Sequence, residues 1–196
     1  QGQIPSLVEL RDIKGDLHAH TEWSDGHTPI EAMVAAARSR GYQYLAITDH
    51  SPGLGIARGL SPERLREQLG IIREMNRSFT DGFRILTGSE VNIRADGGLD
   101  FPDEVLAELD VVVASVHSAM GQDMVKMTGR VIRALHSPHM DIFGHPTTRL
   151  LGQRDPIQID MEAVFQAALA TGTALEVNAS PSRLDLKDSH VRRAVE

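Results

Sequence analysis

IKGDLHAH, residues 13–20, is a short run whose apolar character gives way to two histidines one residue apart. In extended backbone, residues i and i+2 point the same way, so His18 and His20 can present two imidazoles to one point. Comparable runs recur at 44–50 (YLAITDH), 84–93 (RILTGSEVNI), 111–117 (VVVASVH), 141–145 (DIFGH) and 173–179 (TALEVNA). Most are continuously apolar rather than alternating, as expected of parallel strands covered on both faces.

Helical patterns fill the gaps. Thr28 and Glu31 have the spacing of a capping box, with Pro29 at the first helical position and Gly41 at the end. Ile30, Met33, Val34 and Ala37 stripe the predicted helix. Ser61-Pro62 opens a second, with Leu65, Leu69 and Ile72 on one face. Met124, Met127, Val131 and Leu135 recur at helical spacing within 122–136, the methionines reading as core filler. Asp160 is placed to cap a helix with Val164, Phe165, Ala168 and Leu169 inward and Gly172 at its close. Strand and helix alternate about every 30 residues, the rhythm of repeated βα units. Six strands and that rhythm predict an α/β fold, either a (β/α) barrel or an open doubly wound sheet. The stretch 186–196 reads as a helix leading toward one more strand.

A length of 196 residues suits one domain, 1–196, with a core of its own. The chain starts at Gln1 and stops at Glu196 within a helical pattern, so it reads as a piece of a longer protein. With no cysteine, disulfides and thiolate metal sites are excluded, and a cytoplasmic setting is expected. No apolar run reaches the roughly 20 residues that a membrane span needs, so no membrane partner is expected. A net charge of −7 argues against a broad electrostatic DNA-binding face. Bound divalent cations would reverse the field locally, so nucleic acid stays open as a substrate.

The chemistry lies in where the histidines fall. His18 and His20 end the first predicted strand, His50 the second, His117 the fourth and His145 the fifth, and Glu90 stands near the end of the third. Asp25 adds a carboxylate in the loop just after His20. In α/β barrels, the C-terminal strand ends and the loops that follow them build the site. A lone strand-end histidine is more often a core or surface side chain than a ligand. Five strands in succession differ, because buried imidazoles and carboxylates are costly unless something pairs with them. A divalent metal is the natural partner, and nitrogen and oxygen donors suit Zn²⁺, Mn²⁺ or Fe²⁺. The donors outnumber those one tetrahedral ion needs, which predicts two to three ions, with Glu90 able to bridge. Such sites activate water and clamp the attacking and leaving oxygens in phosphoester hydrolysis.

Arg149, Arg183 and Asn178 follow the fifth and sixth predicted strands and are candidates for substrate binding, since arginine forks onto phosphate oxygens. Asp49 alternates with His50, so it is expected to point away from the metals and support them. His27 reads as exposed or supporting, and His136, His139 and His190 as structural or solvated.

Five segments in order, GDLHAHTEWSDG (15–26), AITDHS (46–51), GSEVNI (88–93), ASVHS (114–118) and FGHP (143–146), resemble the successive motifs of the PHP (polymerase and histidinol phosphatase) superfamily. LVELRDIKGDLHAHT (7–21), LDFPDEVLAELDVVVASVHS (99–118) and DIFGHPTTRLLGQR (141–154) resemble more closely the C-terminal PHP domain of bacterial family X DNA polymerases. Asp25 fits that subgroup, where phosphatase relatives often carry histidine.

The resemblance implies a distorted (β/α)7 TIM-like barrel holding three metals. His18, His20 and Glu90 would serve one ion, Glu90, His117 and His145 a second, and Asp25 with His50 a third. His18, His20, Glu90 and His117 would carry the catalysis. It further implies Mn²⁺-dependent 3′–5′ exonuclease and 3′-end processing in DNA repair, with a polymerase domain covalently linked. A histidinol-phosphatase-type enzyme acting on a small phosphorylated substrate is the alternative, and a non-catalytic scaffold domain another. The family's closing Asp-x-His does not follow Asn178. This chain would therefore hold six of seven strands and seven of nine ligands, with the last strand expected beyond Glu196.

Overall fold

A computed structural model describes residues 7–196; residues 1–6 of the expected domain lie outside the described residues. Six strands form one parallel sheet: β1 (Gly15–Ala19), β2 (Tyr44–Ile47), β3 (Arg84–Asn92), β4 (Val111–Ser115), β5 (Ile142–Phe143) and β6 (Ala174–Leu175). Their spatial order is their sequence order, β1 to β6, as in a barrel wound one βα unit at a time. Every pair is parallel, so all six C-terminal ends share one rim.

The helices are α1 (Ile30–Ser39), α2 (Pro62–Ser78), α3 (Asp103–Leu106), α4 (Met124–Leu135), α5 (Met161–Thr171) and α6 (Asp188–Val195). Ser61 caps α2 by accepting from Arg64 N, and Pro62 occupies the first turn, where its missing N–H costs nothing. Asp160 caps α5 by accepting from Glu162 N and Ala163 N. Gly172 closes that helix at φ 76, a left-handed conformation natural to glycine.

Two apolar clusters cover the sheet. The larger joins Val91, Val112, Ala114 and Phe143 of the strands to Leu65, Leu69, Met127, Val131, Leu135, Val164 and Phe165 of the helices. The smaller gathers Ile30, Val34, Leu45, Ile47, Ile72 and Ile85 around α1, β1 and β2. Each fully buried aliphatic side chain contributes about 1.5–3 kcal/mol by leaving water.

Four expectations need correction. The capping box at Thr28 does not form: Pro29 is the N-cap of α1 and no side chain caps it. Thr28 instead uses its carbonyl to accept from Glu22 N, which pins the loop carrying Asp25. Met124 is 49% exposed, because it is the first residue of α4 and lies ahead of the buried stripe. Leu169 is 80% exposed, since Val164, Phe165 and Ala168 already fill the face of α5 turned inward. The predicted fifth and sixth strands are also shorter than their apolar runs, with only Ile142–Phe143 and Ala174–Leu175 in the ladder. No seventh strand occurs among the described residues.

Candidate metal centre

Glu90 is the hub. It lies in β3, 2% exposed, and is paired as an isolated parallel bridge with His50, three residues past the end of β2. Backbone bonds from Ser51 N to Glu90 O (3.0 Å) and from Glu90 N to Thr48 O (3.0 Å) fix that register. Around its carboxylate stand five imidazoles from four other strand ends. Oε2 lies 3.3 Å from His18 Nε2, 3.4 Å from His20 Nε2 and 3.2 Å from His50 Nδ1. Oε1 lies 3.2 Å from His117 Nε2 and 2.8 Å from His145 Nε2. Asp25 adds Oδ1 at 3.1 Å from His20 Nδ1 and Oδ2 at 3.4 Å from His50 Nε2.

All seven predicted ligands therefore meet at one rim. Six of them form three overlapping groups with donor atoms within 4.8 Å of one another: His18, His20 and Glu90; His20, Asp25 and His50; and His50, Glu90 and His117; His145 joins through Glu90 Oε1 alone. The last differs from the grouping implied by resemblance, which joined His117 to His145 and left His50 with Asp25 alone. His50 here faces both sides.

Close approach of backbone makes the convergence possible. At Gly144, just before His145, an added Cβ would meet Ser115 Oγ at 2.4 Å and Val113 Cγ1 at 2.7 Å, with His18 Cε1 at 3.5 Å. Only glycine lets the end of β5 lie this near β4.

A second layer holds the ligands. His18 Nδ1 donates to Glu176 Oε1 at 2.7 Å, and Glu176 Oε2 also accepts from the backbone N–H of His145. His117 Nδ1 bonds Asn92 Oδ1 at 2.6 Å, and Asn92 is itself fixed by Asp100. Each of these bonds leaves the Nε2 of its ring directed at Glu90. Asp49, fully buried, accepts from Thr21 N, Thr21 Oγ1, Ser24 Oγ and Gln68 Nε2, so it shapes the Asp25 loop without facing the metals.

Glu176 escaped the sequence reading, although it stands one residue past β6 and shares the parity of Asn178, which was singled out. A carboxylate at a strand end was the available signal. Asn178 itself points Nδ2 toward Glu176 Oε1 at 3.4 Å. Arg149 donates from Nε and Nη2 to the carbonyls of Arg183 and Leu184, so it braces the loop after β6. Arg183 keeps a buried Nη1 without a hydrogen-bond partner. His27 and His136 are exposed, and His139 and His190 are partly buried away from the cluster.

The electrostatics suit cations. Burial pushes the Glu90 carboxyl up, but hydrogen bonds from His117, His145 and His18 outweigh it and hold the group well below the usual range. Burial disfavours a charged His18, yet bonds and charges from Glu176 and Glu90 raise it to about 10. Burial lowers His50 to about 4, and the bond with His20 lowers Asp25 to about 2. His145 Nδ1 is buried without a hydrogen-bond partner. A neutral His50 and ionised Glu90 and Asp25 around one point are what a divalent ion requires, with the His18 proton given up as it binds, so the residues fit the metals expected of them.

Fold and site together define a class: a parallel β/α domain with a histidine–carboxylate metal centre at its strand ends. The chain belongs to the PHP domain family, which matches residues 16–180. It is 48% identical over 190 residues to the DNA polymerase/3′-5′ exonuclease PolX of Bacillus subtilis (strain 168), covering 97% of this chain and 33% of that protein. It is 34% identical over 172 residues to a probable phosphatase of Thermoanaerobacter sp. (strain X514), covering 84% of this chain and 64% of the relative. The chain thus spans a third of the polymerase and under two thirds of the phosphatase. A crystal structure from Listeria monocytogenes, provisionally described as a histidinol phosphatase, shares the fold with a TM-score of 0.67 at 16% identity. That match covers 93% of this chain and 90% of the other. No helix among the described residues is long and apolar enough to cross a membrane.

Proposed function

We propose that this PHP domain hydrolyses phosphodiester bonds at DNA 3′ ends, as a 3′–5′ exonuclease linked to a family X polymerase and serving DNA repair. The domain is a metal-dependent phosphoesterase, and the finer reading rests on one observation. Identity with the Bacillus polymerase/exonuclease is 48% over 97% of the chain, against 34% for the probable phosphatase named above.

Divalent ions in such a site supply Lewis acidity, lowering the pKa of a water and neutralising charge on the phosphoryl oxygens. The chain's own residues do the rest. His18, His20, Asp25, His50, Glu90, His117 and His145 would offer the donors, and Glu90, ringed by imidazoles, would serve more than one ion. We assign His18, His20, Glu90 and His117 to catalysis, because they would hold the ions that act on the reacting phosphoryl group. Glu176 and Asn92 hold His18 and His117 in the tautomer that keeps Nε2 turned inward. We assign Asn178, whose Nδ2 lies 3.4 Å from Glu176 Oε1, together with Arg183 and the Arg149 that braces the loop after β6, to binding of a substrate phosphate.

The test is a chelator-treated protein reloaded with Mn²⁺, Zn²⁺ or Fe²⁺ and offered a 5′-labelled oligodeoxynucleotide. A ladder of products shortened one nucleotide at a time from the 3′ end is expected, and none with chelator. Hydrolysis of small phosphomonoesters alone, with the oligonucleotide intact, would favour the phosphatase reading.

A further inference from the structure

Beside the metal centre lies a cleft of about 690 Å3, within the roughly 300–1,000 Å3 typical of small-molecule sites. Glu22, Trp23, His27, Arg58, Arg64 and Glu67 line it. Two loops of the rim and the start of α2, which carries Arg64 and Glu67, form its walls. One runs from His20 through Trp23 and Asp25 to α1; the other follows His50 and carries Arg58. The cleft therefore abuts the His20–Asp25–His50 group, whose Asp25 is the most exposed of the seven candidate ligands. Gly26, also in its lining, directly follows Asp25, and a Cβ there would fall 2.5 Å from the His20 carbonyl oxygen of the same loop.

The indole of Trp23 is held in place. Arg64 sets its guanidinium 5.6 Å from the ring centroid and donates from Nη2 to the Trp23 carbonyl at 3.1 Å. Arg58 is exposed and left-handed (φ 54), a conformation that long side chains seldom adopt and that concentrates at functional positions. Leu60 N donates to His50 O at 2.7 Å, so the Arg58 loop is tied to a candidate metal ligand.

The lining mixes signs: Arg58 and Arg64 share it with Glu22, Glu67 and His27. A bare phosphate would meet nearly as much repulsion as attraction there. A nucleotide differs, because its base offers a face to an aromatic ring and exocyclic amines to carboxylates, while its phosphate takes the arginines.

We infer that this cleft is a nucleoside subsite, in which a base of a polynucleotide end stacks on Trp23 while Arg58 and Arg64 hold the neighbouring phosphate. The inference rests on the phosphodiester reading above and deepens it, since a small phosphorylated substrate without a base would leave the cleft unused.

Trp23 is the only tryptophan of the sequence, so its fluorescence reports on the site directly. The metal-loaded protein is titrated with a short oligodeoxynucleotide whose 3′-terminal linkages are phosphorothioate, and with an abasic strand of equal length. Binding is followed in parallel by the anisotropy of a label. The base-bearing strand should quench Trp23, with the abasic strand binding about tenfold more weakly and without quenching. Trp23→Ala should weaken the base-bearing strand about tenfold or more, Trp23→Phe should restore most of that loss, and Arg58→Ala should weaken both strands. Equal affinity for the two strands, binding with Trp23 emission unchanged, or no binding of either strand overturns the subsite. Cleavage of an unmodified strand without quenching defeats the subsite and leaves the phosphodiester reading standing. Quenching without cleavage does the reverse.

Discussion

His18 shows how much of this site is decided by single atoms. Its Nε2 faces Glu90 and its Nδ1 faces Glu176, so the ring is gripped between two carboxylates. With its pKa raised to about 10, it holds a proton throughout the neutral range that an incoming cation must displace. His50, lowered to about 4, has no such proton to give up at pH 7. The sign follows: metal affinity should rise with pH, about tenfold per unit from pH 6.5 to 8 for one displaced proton. Calorimetric titration with Zn²⁺ or Mn²⁺ at several pH values checks this, and a flat profile would contradict it. Glu176→Gln should lower affinity about 10–100-fold, as loss of an orienting carboxylate generally does, with the fold intact by circular dichroism. Unchanged affinity would show that Glu176 only fills space. The candidate ligands were legible because strand-end histidines punctuate apolar runs. Glu176 was less so, because its role depends on which ring it meets across 158 residues of chain.

Elements bring those residues to the rim, and their reading was uneven for physical reasons. Continuous apolar runs marked all six strands, and Ser61, Asp160 and Gly172 marked helix ends by the chemistry of caps. Thr28 misled because α1 begins one residue later than its spacing implies, with Pro29 as the N-cap and no side chain to cap it. The ladders of β5 and β6 are short because the chain leaves the sheet to build the loops after them, with His145 at positive φ just past β5. Arg130 was invisible in another way. It sits on α4, fully buried, and donates to Ser118 O at 3.0 Å and to Ile93 O. It thereby ties the chain just past β3 to the residue after His117. Arg130→Ala would strand those carbonyls and leave a cavity, costing about 2–4 kcal/mol. At this size that lowers the melting temperature by roughly 5–15 °C, measurable by scanning calorimetry. A shift within a degree or two would mean that α4 is held by its apolar stripe alone.

For the whole molecule, the strand order β1 to β6 places every C-terminal end on one rim, and the centre is a consequence of that order. Alternating βα units made the class legible, but a barrel and a doubly wound sheet share that alternation. Spatial order separates them, and pairing between sequence neighbours is a property of the folded sheet. The same winding sets the β1 and β2 loops side by side, which creates the Trp23 cleft that no single segment announces. Everything else depends on whether the rim holds metal. The direct measurement is elemental analysis of the purified protein after saturation with Mn²⁺ or Zn²⁺ and exhaustive dialysis, beside Glu90→Ala treated identically. The three overlapping donor groups predict more than one tightly held divalent ion per chain, and loss of most of that metal when the shared carboxylate is removed. A chain that retains no metal, or a Glu90→Ala variant that retains as much as the parent, would contradict the account.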